Sequence, residues 1–250
     1  MIRGCDVSAV QGVVDWDALK AAGIRFAYLK CSEGNRGIDL ALGLPEYYLD
    51  HKRAAGVSGQ DPYFDRNVAG ARSAGILVGP YHFGYPLPPA PGNPTRDPEA
   101  QAKFAYDLSA GLGAFDGDLP PAFDFEWPAP EHWGHWGCGP EQLRKWALAY
   151  LAASETLYGV PGVLYSYPDF WKRSGAGSEP AFARSSLWAA SYPHPDRWPL
   201  ETERPVAFPP FERATFWQFT GGGMRLPDGT PVDYDVFLGT EDELAALTRR

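Results

Sequence analysis

Ala122-Phe123-Asp124-Phe125-Glu126-Trp127 alternates large aromatic residues with small or acidic ones. On a strand, Phe123, Phe125 and Trp127 share one face, and Ala122, Asp124 and Glu126 share the other. Three large apolar neighbours call for burial on one side, so the two acids point the opposite way. Carboxylates held there are costly unless they have partners or work to do. Paired carboxylates beside a pocket are the equipment of glycoside hydrolysis: one must be protonated to expel the leaving oxygen while the other stays ionised. Mutual repulsion at short range helps to separate their pKa values. Residues i and i+2 lie roughly 6.6 Å apart at their backbones, which leaves the tip separation, and with it the stereochemistry, open.

Two further aspartates fall at matching positions. Asp6 ends the segment Ile2–Ser8 with the parity of Gly4, and Asp233 begins the segment Asp233–Phe237. If the chain closes into a barrel, these two strands are neighbours, and Asp6, Asp124, Glu126 and Asp233 gather at one mouth. Each aspartate alone reads equally well as a turn or capping residue. Such a cluster also suits a hard cation. No EF-hand-like loop or other dedicated ligand spacing accompanies it, so no metal is expected.

The elements that must position these residues alternate short apolar runs with helical stretches. Strands are expected at Ile2–Ser8, Arg25–Cys31, Ile76–Phe83, Leu119–Trp127 and Gly162–Tyr167. Helices fall between them at Trp16–Ala22 and Tyr63–Ala74, then after Asp97-Pro98-Glu99 and from Pro140 to the stop at Gly159 and Pro161. Leu143, Trp146, Ala147, Tyr150, Leu151 and Leu157 hold one face of the longest helix. Beyond that, Ser186–Ser191, Ala214–Phe219 and Asp233–Phe237 read as strands joined by loops. Thr240 and Glu243 form a capping box for a closing helix to about Leu247. Five βα units followed by three strands make eight, the number that closes a small barrel. In such a barrel the aromatic face of Leu119–Trp127 packs against outer helices, and its acids point inward at the C-terminal mouth.

Composition narrows the classes. With 31 acids against 22 bases among 250 residues, the net charge is −9, which argues against nucleic acid and anionic membranes as partners. No apolar run reaches the 18 residues of a membrane span. Nine Trp and 13 Tyr suit the stacking of flat ligands such as sugars, and suit a large core as well. The three cysteines, Cys5, Cys31 and Cys138, build no disulfide framework, and the first two read as small buried hydrophobes. Met1–Ser8 opens directly in strand-like sequence without the pattern of a secretory signal. The expectation is synthesis in the cytoplasm, so that any work outside the cell follows export, injection or lysis.

The chain resembles glycoside hydrolase family 25, the muramidase or lysozyme family whose members cleave peptidoglycan. Gly4-Cys5-Asp6-Val7-Ser8 with Gln11-Gly12, Phe26–Gly34 with Lys30 and Glu33-Gly34, and Tyr63-Phe64-Asp65-Arg66-Asn67 carry the first part of the likeness. Gly79-Pro80-Tyr81-His82-Phe83, Pro120–Glu126, Gly162–Ser166, Leu187–Tyr192, Trp217-Gln218-Phe219 and Val232–Phe237 continue it in the same order. The resemblance implies a TIM-like α/β fold, a flattened (β/α)5β3 barrel of one domain spanning residues 1–250. It implies cleavage of the β-1,4 bond between N-acetylmuramic acid and N-acetylglucosamine, with peptidoglycan glycan strands as the partner, no cofactor and a monomer as the working form. By motif position Glu126 is the general acid/base. Asp124 serves as nucleophile or steadies the substrate's 2-acetamido group, and Asp6 and Asp233 orient the pair. Tyr81, Tyr165, Tyr192 and Gln218 become candidates for holding sugar.

Two stretches exceed the family pattern, residues 35–60 and 129–139, and both follow strand C-termini. They are expected to shape the cleft or to pack over the rim. In the second, Trp133 and Trp136 read as a stacking surface. His132, His135 and Cys138 sit three apart, but without a fourth ligand they make a poor transition-metal site. Rival readings are a hydrolase of another amino-sugar polymer such as chitin and a catalytically silent glycan-binding module. A secretion or immunity partner lies beyond what the residues reveal.

Overall fold

Eight strands form, each on a segment of alternating or continuous apolar sequence: β1 (Ile2–Val7), β2 (Phe26–Glu33), β3 (Leu77–Phe83), β4 (Ala122–Asp124), β5 (Val163–Ser166), β6 (Ser186–Ala190), β7 (Phe216–Arg225) and β8 (Pro231–Phe237). The structure is a computed structural model that describes residues 1–34, 59–88, 96–110, 117–126, 137–225, 229 and 231–248. The strands close into a barrel in sequence order. Neighbours from β1 to β7 run parallel, and β8 is antiparallel to both β7 and β1. Helices α1 (Trp16–Ala21), α2 (Phe64–Ser73), α3 (Pro98–Ala110), α4 (Pro140–Tyr158) and α5 (Pro168–Ser174) follow β1 to β5 in turn, and α6 (Glu241–Leu247) closes the chain. This is the (β/α)5β3 arrangement expected from the sequence.

Strand parity divides the core into an inner and an outer layer. Inside the barrel, Phe26, Tyr28, Trp188, Phe216 and Phe237 pack with Leu119, Val163 and Leu244 of α6. Tyr28 stacks on Trp188 with ring centroids 4.7 Å apart, and Phe216 meets Tyr28 edge-on at 5.4 Å. Two of these rings lie over glycines on the neighbouring strands, Phe26 over Gly4 and Tyr28 over Gly79. A Cβ on Gly4 would lie 2.2 Å from the Phe26 ring, and one on Gly79 would lie 2.6 Å from Tyr28. Overpacking of that kind costs about 1–3 kcal/mol. Outside, Phe123 and Phe125 pack against Trp146 and Tyr150 of α4 and Phe170 and Trp171 of α5, as the alternation predicts. Cys5 and Cys31 are buried between barrel and helices as free thiols.

Helix signals held closely. Asp97 accepts from the Glu99 N–H at 3.1 Å ahead of α3, Gly159 ends α4 in the left-handed region, and Thr240 and Glu243 cap α6 reciprocally. Three boundaries differ from expectation. β4 starts at Ala122 rather than at Leu119, because Pro120 and Pro121 lack the N–H groups a ladder needs, and its last paired residue is Asp124. β7 and β8 are longer than expected and continue as a hairpin arm to Arg225 and Pro231. Gly221 and Gly222 lie inside β7, where register shifts between Gln218 and Met224 bend the strand; Gly222 takes φ +73. The short helix α5 between β5 and β6 was not expected; Pro168 at its first turn and left-handed Gly175 at its end define it. Trp127, Trp133, Trp136, His132 and His135, and nearly all of the stretches 35–60 and 129–139, lie outside the described residues. At the edge of the first stretch, Gln60 bridges to Ser32 and Glu33 N–H donates to Gly59 O at 2.8 Å.

Candidate active site

The mouth is built by strand ends whose inward side chains are acidic or aromatic. On β1 and β8, Asp6 and Asp233 stand directly opposite each other. Asp124 is the last paired residue of β4, between Phe83 and Tyr165. Glu126 lies two residues on, past the ladder, yet its backbone is anchored. Phe125 N–H donates to Tyr165 O at 3.0 Å, and Ser166 Oγ donates to Phe125 O at 2.9 Å. The four carboxyls expected to converge do so: Asp6 feels the charges of Asp233 and Asp124, Asp124 that of Glu126, and Glu126 that of Asp233.

Burial is the leading cause of their electrostatics. It pushes Glu126 up to about 8, with Lys30 opposing and Asp233 adding to the rise. It raises Asp124 as well, and Glu126 raises it further against the pull of Lys30. Asp233 is raised to about 6 by burial, partly offset by the Gly222 N–H. Two adjacent carboxyls of this kind, Asp124 buried and Glu126 partly buried, hold a proton near neutrality, which is the state acid catalysis requires. Asp124 Oδ1 is enclosed without a hydrogen-bond partner. Lys30 points inward from β2 beside Tyr81 and is bound to Glu33 Oε2 at 2.5 Å, while Tyr85 OH donates to Glu33 Oε1 at 3.0 Å.

The proposed sugar-holding residues divide in two. Tyr81 and Tyr165 line the barrel around Trp188, with ring centroids 6.4 and 4.9 Å from it. Gln218 is enclosed and heavily engaged. Its Oε1 accepts the hydroxyls of Tyr165, at 2.8 Å, and Tyr192, and its Nε2 donates to Asp6 Oδ2 at 2.7 Å. Gln218 therefore ties two tyrosines to an aspartate. Tyr192 alone of the group is well exposed, at 46%. Trp133 and Trp136 fall outside the described residues. Among the described residues no group of three or more His, Cys, Asp or Glu side chains is arranged to hold a metal ion.

Residues 48–226 match the sequence profile of glycosyl hydrolases family 25. The chain belongs to that family. Lysozyme M1 of Streptomyces globisporus is 27% identical over 247 residues, covering 98% of this chain and 71% of its own. The N,O-diacetylmuramidase of Chalaropsis sp is 26% identical over 80% of this chain and 85% of its own. The bacterial lysozyme of Streptomyces coelicolor superposes with a TM-score of 0.73 at 27% identity, covering 99% of this chain and 96% of that one. This protein is thus a glycoside hydrolase.

Three inward residues of this family 25 barrel went unassigned in the sequence. Asp235, two positions after Asp233, shares its face by the same parity that singled out Asp124 and Glu126. Tyr167 follows Tyr165 by two and is close enough for Glu126 to raise its hydroxyl, after burial. Trp188, two before Ala190 on β6, donates Nε1–H to Asp235 Oδ1 at 2.8 Å. Parity was the available signal for all three.

Proposed function

We propose that the protein is a peptidoglycan muramidase that hydrolyses the β-1,4 bond between N-acetylmuramic acid and N-acetylglucosamine. The observation that carries this reading is the carboxyl pair at the end of β4 in a family 25 barrel, with Glu126 raised to about 8 and so protonated at neutral pH. The names of its relatives, lysozyme and N,O-diacetylmuramidase, support the substrate.

In this reading Glu126 gives its proton to the departing O4 of N-acetylglucosamine as the C1–O4 bond breaks. The 2-acetamido carbonyl oxygen closes on C1, and its N–H, gaining positive charge, is held by Asp124. The enclosed, partnerless Oδ1 of Asp124 suits that donor. Glu126, now a carboxylate, takes a proton from the water that reopens the ring, and the acid is restored. Direct attack on C1 by Asp124 uses the same oxygen and is separated by the response to a thiazoline analogue of N-acetylmuramic acid, which mimics the ring-closed intermediate. Asp6 and Asp233 hold the pair's surroundings, and Tyr81, Tyr165 and Tyr192 face the sugar.

The test is digestion of purified peptidoglycan by wild type and Glu126→Gln in parallel, followed by borohydride reduction and mass spectrometry. Reduced muramic-acid ends from the wild type alone are expected. Reduced glucosamine ends mean the other glycosidic bond is cut, and binding to the wall without release by either protein supports a silent glycan-binding module.

A further inference from the structure

Asp235 is the most enclosed carboxyl among the described residues, with 0% of its surface exposed. It stands on β8 across from Gly4 on one side and Gln218 on the other. By strand parity it shares the inward face of the barrel with Asp233 and Asp6. Trp188 Nε1–H satisfies Asp235 Oδ1 at 2.8 Å, but Oδ2 meets no N–H or hydroxyl. Beside it on the same inward face, diagonal across the β1–β8 ladder, stands the buried carboxyl of Asp6, which the charge of Asp235 raises. Asp6 in turn accepts Gln218 Nε2–H on its own Oδ2 at 2.7 Å. A hydrogen bond between two carboxyls exists only if one of them carries a proton.

The surroundings offer no other way to settle this pair. From β1 comes the Cys5 thiol, from β8 Asp233 and from β4 Asp124; Trp188 of β6 and Gln218 of β7 are neutral. None of these is a cation. Two neighbouring buried carboxylates in such a place do not both ionise.

We propose that Asp6 and Asp235 hold one proton between them across the working pH range, and that Asp235 is the positioning residue that fixes Asp6 and, through it, Gln218 and the hydroxyls of Tyr165 and Tyr192. The proton stays within the pair, so nothing is consumed in turnover. The catalytic consequence rests on the muramidase reading; the shared proton does not. An asparagine at 235 reproduces the arrangement, since its carbonyl accepts from Trp188 and its N–H donates to Asp6. Alanine does not.

The experiment uses the whole chain labelled with 13Cγ-aspartate, titrated by NMR from about pH 5 to about pH 10. One aspartate is expected to remain protonated far above the usual carboxylate range, with its signal lost in Asp235→Asn and in Asp6→Asn but kept in Asp124→Asn. On peptidoglycan, Asp235→Asn should restore kcat/KM to within about threefold of wild type with an unchanged pH profile, while Asp235→Ala loses at least ~30-fold, mainly in kcat. Ionised carboxyls at both positions at neutral pH, or an Asp235→Asn variant as impaired as Asp235→Ala, would overturn the proposal. If Asp235→Ala does not fold, the titration of wild type and Asp235→Asn decides alone. Should the protein cut no peptidoglycan, the muramidase reading fails while the titration still judges the shared proton.

Discussion

Two strands of this barrel carry acids at i and i+2 on their inward face, β4 with Asp124 and Glu126 and β8 with Asp233 and Asp235. Their surroundings differ. The β4 pair has Lys30 acting on both carboxyls, and Asp124 keeps one oxygen without a partner. Asp235 on β8 also has one oxygen without an N–H or hydroxyl, but it is fully enclosed, an indole N–H holds its other oxygen, and its named neighbours are acids rather than a cation. Spacing alone does not make an acid catalytic. The pair proposed to be catalytic has a cation acting on it, whereas Asp235 is enclosed among an indole, an amide and other acids.

The largest expected effect tests the β4 side. Glu126→Gln keeps shape but has no proton to give, so turnover should fall by roughly 10²–10⁴-fold with binding retained. Asp124→Asn should also lose about 10²-fold, because the amide stabilises a developing cation poorly. Retained activity in Glu126→Gln on muropeptide-releasing digestion would move the acid elsewhere and dissolve the contrast with β8.

Stability gives the next effect, with opposite sign. Folded Glu126 is raised from 4.5 to about 8, so wild type is favoured below the unfolded value and loses stability as pH rises toward the folded one. Glu126→Gln has no such loss. Its advantage should grow between about pH 4.5 and about pH 8 and then level off, on the order of 2–4 kcal/mol, or roughly 5–10 °C in Tm. Thermal melts of both proteins at pH 5 and pH 9 measure it, and equal shifts at the two values would contradict the burial of that carboxyl.

A third test removes the cation that separates the pairs. Lys30→Met alone would strand Glu33, so the double variant Lys30→Met/Glu33→Gln is the cleaner probe. Since Lys30 lowers Glu126, the alkaline limb of kcat/KM should move upward from about 8. An alkaline limb that stays in place would detach Lys30 from the proposed acid, Glu126.

Much of this was legible in the sequence because period 2 is a strong signal where one face is buried. Phe123 and Phe125 assigned β4 its orientation, and hence the acids theirs, before any coordinate. Cap residues at Asp97, Gly159 and Thr240 placed helix ends for the same local reason. What escaped was set by neighbours. The start of β4 depended on two prolines denying the ladder its donors, and the bulged glycine run in β7 read as the end of a strand. Asp235 lay on a face already identified, but its role needed the Trp188 indole, 47 positions away, and Asp6 on the neighbouring strand.

Tyr192 joins the two regions and gives the smallest effect. Its ring is exposed at the mouth while its hydroxyl donates to Gln218, which already accepts Tyr165 at 2.8 Å and reaches Asp6. Tyr192→Phe removes one of two hydroxyls on the same acceptor, so the Asp6 linkage survives and kcat should change by less than about threefold. Tyr192→Ala removes the ring as well. If that ring stacks on sugar, KM should rise by about 2–10-fold with kcat little changed, in line with the roughly 0.5–1.5 kcal/mol of an aromatic contact. A loss in kcat for Tyr192→Phe instead would mean that the hydroxyl, and with it the floor network, reaches the reacting atoms directly.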